Sequence, residues 1–135
     1  MTNSVRLHAS AVALEGKGVL IRGASGSGKS GLALQLMGLG ATLISDDQTE
    51  LVPQGDAILL QAPATIAGQS EARGVGILHA ETVSAPLHLV IDLDRVEPER
   101  LPPHRQATIL DQSFPCLHKV DTAAWPFAVL QYVKG

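Results

Sequence analysis

The stretch GASGSGKS, Gly23 to Ser30, stands between the apolar run GVLI and the leucine-rich segment GLALQLMGLG. It fits the pattern G-x-x-x-x-G-K-[ST], in which glycines let successive backbone N–H groups point inward around an anion. A helix that follows the loop would add the positive end of its dipole. Lys29 supplies a cation for the β- and γ-phosphates, and Ser30 supplies a hydroxyl for Mg²⁺. The stretch therefore predicts a loop that binds a nucleoside triphosphate. The predicted binding residues are Gly23, Ala24, Ser25, Gly26, Ser27, Gly28, Lys29 and Ser30.

The composition predicts one globular domain that spans residues 1–135. Apolar residues make up 45% of the chain and aromatic residues 3%, so we expect a mainly aliphatic core. The net charge of −3 is spread without a basic block, which argues against nucleic-acid binding. The uncharged run at 31–45 is too short to span a bilayer and is broken by Gly38 and Gly40. The single cysteine, Cys116, cannot form an internal disulfide, and we expect it to pack inside a soluble cytoplasmic protein.

Turn residues and hydrophobic periodicity divide the chain into many strands and few helices. Residues alternate in polarity from 5 to 13, and the turn EGKG at 15–18 leads to a returning strand at 19–21, which predicts a hairpin. Leucines recur on one face of the segment 29–39, which predicts a helix that ends at Gly40. These elements favour an α/β fold, a P-loop domain with a mixed sheet and β-hairpins. The other predicted elements are a buried strand at 41–44, a hairpin from 50–53 to 57–62, a central strand at 87–93, a proline-rich loop at 96–105, and a helix in the tail that begins at Asp121 or, because of Pro126, near Trp125.

Two pairs of carboxylates follow apolar strands, and either pair could act beyond the γ-phosphate. The segment ISDD ends in Asp46 and Asp47, and LVIDLD contains Asp92 and Asp94. Mg²⁺ needs hard oxygen ligands, and an attacking hydroxyl needs a carboxylate that takes its proton. A strand that ends in Asp is typical of the second nucleotide-binding motif, but Asp also begins turns after strands. The residues alone therefore leave the choice between the two pairs open.

Four motifs together resemble the catalytic domain of HPr kinase/phosphorylase, a family that phosphorylates a serine of the small phosphocarrier protein HPr. They are His8 before the first hairpin, the loop GVLIRGASGSGKS, the acidic pair in LISDD, and SEARGVGIL, which is similar to the family signature L-E-I-R-G-L-G-I. The resemblance covers residues 5–78 well and the rest loosely. We expect a form without the separate N-terminal domain of many members, similar to the short form of some alphaproteobacteria.

The resemblance also implies roles for individual residues. By this match Asp47 is the base that accepts the serine proton, Asp46 supports it, and Asp92 becomes a structural residue at a strand end. Ser30 and Glu71 match the Mg²⁺ ligands, so ATP and Mg²⁺ are implied as cofactors and an HPr-like protein as the partner. The family forms hexamers, although the sequence itself leaves the oligomeric state open. The catalytic positions implied by the resemblance are His8, Lys29, Asp46, Asp47, Arg73 in the signature, and Arg100, whose segment ERLP is similar to a family ERLG.

Many family members also run the reverse chemistry, in which inorganic phosphate removes the phosphoryl group from serine and pyrophosphate is released. These members carry a segment similar to P-V-R-P-G-R-N near the C-terminus. This chain has VDTAAWP at 120–126, with Thr122 and Trp125 in place of the two arginines and with Asp121 beside them. Because a second phosphate needs cationic groups, the sequence predicts a kinase whose phosphorylase activity is weak or absent.

Two other functions stay open on the residues alone. One is a P-loop kinase for a small metabolite, in which the proline-rich loop at 96–105 would act as a lid over a closed pocket. The other is a non-catalytic, ATP-binding regulatory module, which would bind the nucleotide without phosphoryl transfer. Transfer of phosphate to HPr would distinguish the predicted serine kinase from both.

Overall fold

The computed structural model shows a mixed β-sheet with helices on one face, and it describes residues 4–64, 66–72 and 74–135. No helix among these residues is long and apolar enough to cross a membrane. The elements, in chain order, are β1 (Val5–Leu7), β2 (Ala9–Leu14), β3 (Lys17–Arg22), α1 (Lys29–Gly38), β4 (Thr42–Ser45), β5 (Thr49–Gln54), β6 (Ala57–Gln61), β7 (Gln69–Ala72), β8 (Gly76–His79), β9 (Ala85–Val96), β10 (Arg105–Ile109), β11 (Gln112–Lys119) and α2 (Trp125–Lys134).

The sheet is parallel at its centre and antiparallel at its margins. β9 pairs in parallel with β3 on one side and with β11 on the other. β2 pairs antiparallel with both β3 and β4, so β4 runs in the same direction as β3. The hairpins β5–β6 and β10–β11 extend the sheet, and β7–β8 form a separate hairpin. This arrangement confirms the predicted α/β class with a mixed sheet, and it brings the carboxyl ends of β3, β4 and β9 to one edge, where ligands bind in open α/β sheets.

The core lies on both faces of the central strands. On one face, α1 and α2 cover apolar side chains of β2, β3 and β9, among them Ile21 and Ile91. On the other face, Leu20 and Val90 pack against side chains from β5, β6 and β10. Cys116 belongs to this second cluster, and burial raises the pKa of its thiol. The cysteine therefore occupies the packing position that the sequence predicted.

Local chemistry explains where the elements begin and end. Glu15 and Gly16 both have positive φ, of 51° and 76°, which is the pattern of a tight hairpin turn between β2 and β3. Gly40, with a φ of 114°, follows the end of α1. α2 begins at Trp125 with proline in its first turn, the later of the two starts that the sequence allowed. Lys17 Nζ donates to the carbonyl of Val133 at 2.9 Å and so ties the first hairpin to the end of α2.

Three details differ from the sequence predictions. The strand-like segment predicted at 5–13 is divided at His8 into β1 and β2, and all six residues of β2 are buried. The central strand is longer than predicted, since β9 runs from Ala85 to Val96. β10 and β11 were not predicted as strands, and the proline-rich loop is correspondingly shorter, since β10 already begins at Arg105.

Candidate active site

The phosphate loop, residues 23–30, joins the carboxyl end of β3 to the start of α1, as the sequence predicted. Gly26 and Gly28 have φ of 83° and 103°, a left-handed conformation that a side chain would disfavour. Gly28 is the N-cap of α1 and offers no side chain to the first N–H groups of the helix. Since the positive end of the helix dipole coincides with these N–H groups, the loop has the geometry of an anion site.

Lys29 folds back over this loop. Its Nζ donates to the carbonyl oxygens of Gly23 at 2.8 Å and Ala24 at 3.1 Å, and the residue is buried. The ammonium group therefore lies against the loop, and its contacts are neutral carbonyls. An anionic phosphate chain in the loop would be a stronger acceptor for it.

Ser30 and Asp46 meet at the edge of the loop. Ser30 Oγ donates to Asp46 Oδ1 at 2.7 Å, and Asp46 is buried at the end of β4. A hydroxyl that donates its proton to a carboxylate keeps its lone pairs available for a cation. A hydroxyl and a carboxylate side by side are hard oxygen ligands, so this pair fits Mg²⁺. The family resemblance implied that Ser30 binds the metal, but it implied for Asp46 only a role in supporting Asp47.

No group of three or more His, Cys, Asp or Glu side chains with metal-binding geometry occurs in the described part of the chain.

Asp47 and His8 face each other in front of the phosphate loop. His8 Nδ1 lies 3.4 Å from Asp47 Oδ1, and His8 Nε2 lies 3.4 Å from Ser25 Oγ of the loop. The side chains of His8 and Asp47 are 47% and 64% exposed, so both can be reached from outside. The imidazole thus stands between a loop residue and the carboxylate.

Two cavities meet at Asp47. One, of about 600 Å³, is lined by the phosphate loop together with Asp47 and Ala72. The other, of about 730 Å³, is lined by Asp47, Ala72 and the β7–β8 hairpin, including Val75 and Ile77. Val75 and Ile77 are 75% and 64% exposed, so the second cavity has an open apolar wall. Asp47 and Ala72 therefore line both the cavity at the phosphate loop and the cavity at the β7–β8 hairpin.

The second carboxylate pair lies against the loop but not at Ser30. The Ala24 N–H donates to Asp94 Oδ1 at 3.0 Å, which anchors the first turn of the loop to β9. Asp92 forms ion pairs with Arg22 at 3.8 Å and Arg95 at 3.6 Å. The two acidic pairs thus have different surroundings in the structure: Asp46 accepts from Ser30, whereas Asp94 accepts from the Ala24 N–H. The structure also gives Asp94 a supporting contact that sequence reasoning missed, because the two residues are 70 positions apart.

Three further predicted residues are placed less completely. Glu71 lies in β7, opposite Ile77, but its side chain is outside what the structure describes. Arg73 lies outside the described residues. Arg100 is exposed in the loop between β9 and β10, and the hydrogen bonds found among the described residues do not connect it to the phosphate loop.

Comparisons with known proteins agree on one family. The family model of the HPr Serine kinase C-terminal domain matches residues 1–102. The chain is 35% identical to the HPr kinase/phosphorylase of Aromatoleum aromaticum over 120 residues, which cover 78% of this chain and 38% of the relative. It is 33% identical to that of Listeria monocytogenes over 117 residues, which cover 80% of this chain and 36% of the relative. The chain thus spans little more than a third of the length of these curated relatives.

A solved structure has the same architecture. The Hpr(Ser) kinase/phosphatase from Coxiella burnetii superposes with a TM-score of 0.80 at 25% sequence identity, covering 96% of this chain and 88% of that one. The similarity therefore extends beyond residue 102 to the last strands and α2.

Proposed function

The chain belongs to the family of the HPr serine kinase C-terminal domain, and from this premise we propose that it transfers the γ-phosphoryl group of ATP to a serine of an HPr-like phosphocarrier protein. The names of its relatives support a phosphotransferase of this class. The observation that carries the proposal is that Asp47 lines both the cavity at the phosphate loop and the cavity at the β7–β8 hairpin. A base in this position can reach a hydroxyl of a second protein while that hydroxyl faces the phosphate chain.

The phosphate loop would hold the triphosphate through backbone N–H groups and one lysine. Gly26 and Gly28 shape the loop, and α1 begins directly behind it. Lys29 Nζ would exchange the carbonyls of Gly23 and Ala24 for phosphate oxygens. Its charge would then balance the negative charge of the transferring group, which is the main catalytic requirement of phosphoryl transfer.

Ser30 and Asp46 would hold Mg²⁺, with Glu71 as the third protein ligand implied by the family pattern. The 2.7 Å hydrogen bond from Ser30 to Asp46 supports this role, because it aligns the hydroxyl beside a carboxylate. Bound there, Mg²⁺ would neutralise phosphate charge and orient the γ-phosphoryl group for in-line attack.

Asp47 would accept the proton of the attacking serine, and His8 would keep the carboxylate directed at it. The contact between His8 and Asp47 supports this pairing, since the imidazole lies on the loop side of the carboxylate. Arg73 and Arg100 stay proposed catalytic residues on the family pattern alone.

A protein acceptor fits the site better than a small metabolite does. The cavity on the outer side of Asp47 is bounded by Val75 and Ile77, which are largely exposed. A pocket for a small substrate is expected to enclose most of that substrate's surface. An open apolar wall beside the base suits a segment of folded protein that carries the serine.

The experiment that tests this function compares acceptors. The protein is incubated with ATP and Mg²⁺ alone, with HPr, and with an HPr variant whose target serine is replaced by alanine, and the intact mass of each HPr is measured. We expect a mass increase of one phosphoryl group in HPr and none in the variant. An unchanged mass of HPr would contradict the proposal and would leave the regulatory module and the metabolite kinase as the alternatives.

A further inference from the structure

Ser10 is a buried hydroxyl that contacts both aspartates of the site. It lies in β2 and has no solvent exposure. Its Oγ donates to Asp46 Oδ1 at 2.8 Å and accepts the N–H of Asp47 at 3.1 Å. Since Ser30 Oγ donates to the same Asp46 oxygen at 2.7 Å, that oxygen receives two hydroxyl hydrogen bonds. The side chain of Ser10 thus links the carboxylate of Asp46 to the backbone N–H of Asp47.

The Ser10 hydroxyl contacts the Asp47 N–H just beyond the point where the backbone pairing of β2 with β4 stops. The ladder between β2 and β4 is irregular and reaches only to the pair Ala11–Ser45. Beyond that pair the Asp47 N–H has no partner in the ladder between β2 and β4. Ser10 supplies that partner through its side chain, and its apolar neighbours Ala9 and Ala11 could not.

We propose that Ser10 is a positioning residue for phosphoryl transfer. Its hydroxyl fixes the carboxylate of Asp46 beside Ser30 and holds the backbone of Asp47, so that metal ligand and base keep one mutual geometry. This inference rests on the proposed function for the roles of the two aspartates. It goes beyond that function because Ser10, the residue that links Asp46 to Asp47, lies outside every recognised motif of the chain.

Removal of the hydroxyl has a specific expected consequence. In Ser10→Ala the Asp46 carboxylate loses one of its two hydroxyl donors and the Asp47 N–H loses its acceptor. Small displacements of reacting groups reduce rates strongly, by up to about 10²-fold for about 1 Å. We therefore expect kcat for transfer to HPr to fall by about 10- to 100-fold, with the KM for the acceptor changed by less than about threefold.

A neighbouring strand provides a matched control. Thr49 in β5 is also buried, and its Oγ1 donates to the carbonyl of Ala9 at 2.8 Å. Thr49→Val removes a buried hydroxyl hydrogen bond of similar kind without touching either aspartate. General destabilisation would affect both variants alike, whereas a positioning role affects only the Ser10 variant.

The test has two readouts on the full chain: transfer to HPr, and affinity for ATP as a function of Mg²⁺ concentration, measured by calorimetry. We expect Ser10→Ala to need at least about threefold more Mg²⁺ for half-maximal ATP binding, and Thr49→Val to match the wild type. Ser10→Cys, which keeps the size of the side chain but is a weak donor, should behave as Ser10→Ala does. It serves as the second variant if Ser10→Ala does not fold.

The outcomes separate the inference from the proposed function. If the wild type fails to phosphorylate HPr but the Mg²⁺ requirement still rises in the Ser10 variants, the proposed function fails and the positioning of Asp46 stands. Wild-type kcat and Mg²⁺ dependence in folded Ser10→Ala or Ser10→Cys would overturn the inference. Equal losses in Ser10→Ala and Thr49→Val would overturn it as well.

Discussion

Asp47 has a backbone conformation that is uncommon for residues other than glycine. Its φ of 66° is left-handed, and the Gln48 N–H donates across it to the Asp46 carbonyl at 2.7 Å, which makes Asp47 the central residue of a γ-turn. Such a conformation costs about 1–2 kcal/mol. The hydroxyls of Ser10 and Ser45 hold the turn from either side. Strain of this kind concentrates at functional sites, which agrees with a carboxylate directed at a substrate.

Residues within the local motifs could be predicted, and residues that act across the fold could not. The loop pattern identified Lys29 and Ser30 because neighbouring glycines in sequence encode one backbone shape. Ser10 and Asp94 carry no such signal, since serine in a strand and aspartate after one are ordinary. Their contacts join residues 36 and 70 positions apart, which only the folded sheet brings together.

Lys29→Ala should abolish most transfer while leaving the fold intact. The substitution removes the cation that would face the γ-phosphate, and loss of one such stabilising group typically costs about 10²- to 10³-fold in rate. Steady-state transfer to HPr, with thermal unfolding as the check on folding, measures the effect. Lys134→Ala, at the exposed end of α2, is the matched lysine control. Activity of Lys29→Ala close to the control would mean that the loop does not act on phosphate.

At the scale of elements, the predictions failed where tertiary pairing outweighs local pattern. The turn between β10 and β11 is formed by Leu110 and Asp111, which have positive φ without a glycine, and Pro115 within β11 argues against a strand. The structure accommodates the proline because Pro115 lies opposite Gln106 of β10, and the pairing of β11 with β9 begins only at the next residue, Cys116. The first hairpin was predicted correctly because its turn residues demand one geometry.

The loop between β9 and β10 is closed by an ion pair that makes acid stability testable. Arg105 Nε and Nη2 donate to the two carboxylate oxygens of Glu97 at 2.6 and 2.8 Å. These hydrogen bonds lower the pKa of Glu97 from 4.5 to about 2. Because the folded state favours the carboxylate, the pair stabilises the fold above pH 4.5, and this contribution is lost as the pH falls towards 2.

Glu97→Gln should therefore lower the free energy of unfolding at neutral pH and flatten its decline between pH 4.5 and 2. Urea unfolding across that range measures both effects. Glu81→Gln removes an exposed carboxylate and should keep the wild-type profile. If Glu97→Gln retained the full acid sensitivity of the wild type, the ion pair would not contribute as described.

At the scale of the whole molecule, the segment VDTAAWP at 120–126 packs near the phosphate loop. Asp121, Thr122 and Trp125 line a cavity of about 460 Å³ together with Ser27 and Gly28 of the phosphate loop. The segment that aligns with the family's paired arginines thus lies beside the loop. The segment places the carboxylate of Asp121 in the lining of this cavity, which also contains the cationic side chain of Lys119.

We expect phosphate-dependent removal of phosphoserine from HPr to be at least about tenfold slower than the forward reaction, since each lost charged hydrogen bond is worth about 1.5–3 kcal/mol. Pyrophosphate release from purified phosphoserine-HPr measures it. Thr122→Arg should increase this rate, because it returns a cation to the cavity, whereas Gln131→Arg, at an exposed position of α2, should not. Phosphorolysis near the forward rate in the wild type would contradict the expectation.

The measurement that tests the central claim most directly is the single-turnover rate of phosphoryl transfer from ATP to the HPr serine in Asp47→Asn. An amide cannot accept the serine proton, so we predict a loss of about 10²- to 10⁴-fold with ATP affinity changed by less than about threefold. Asp56→Asn, in the exposed β5–β6 turn, should transfer at the wild-type rate. Transfer by Asp47→Asn within about fivefold of the wild type would contradict the assignment of Asp47 as the base.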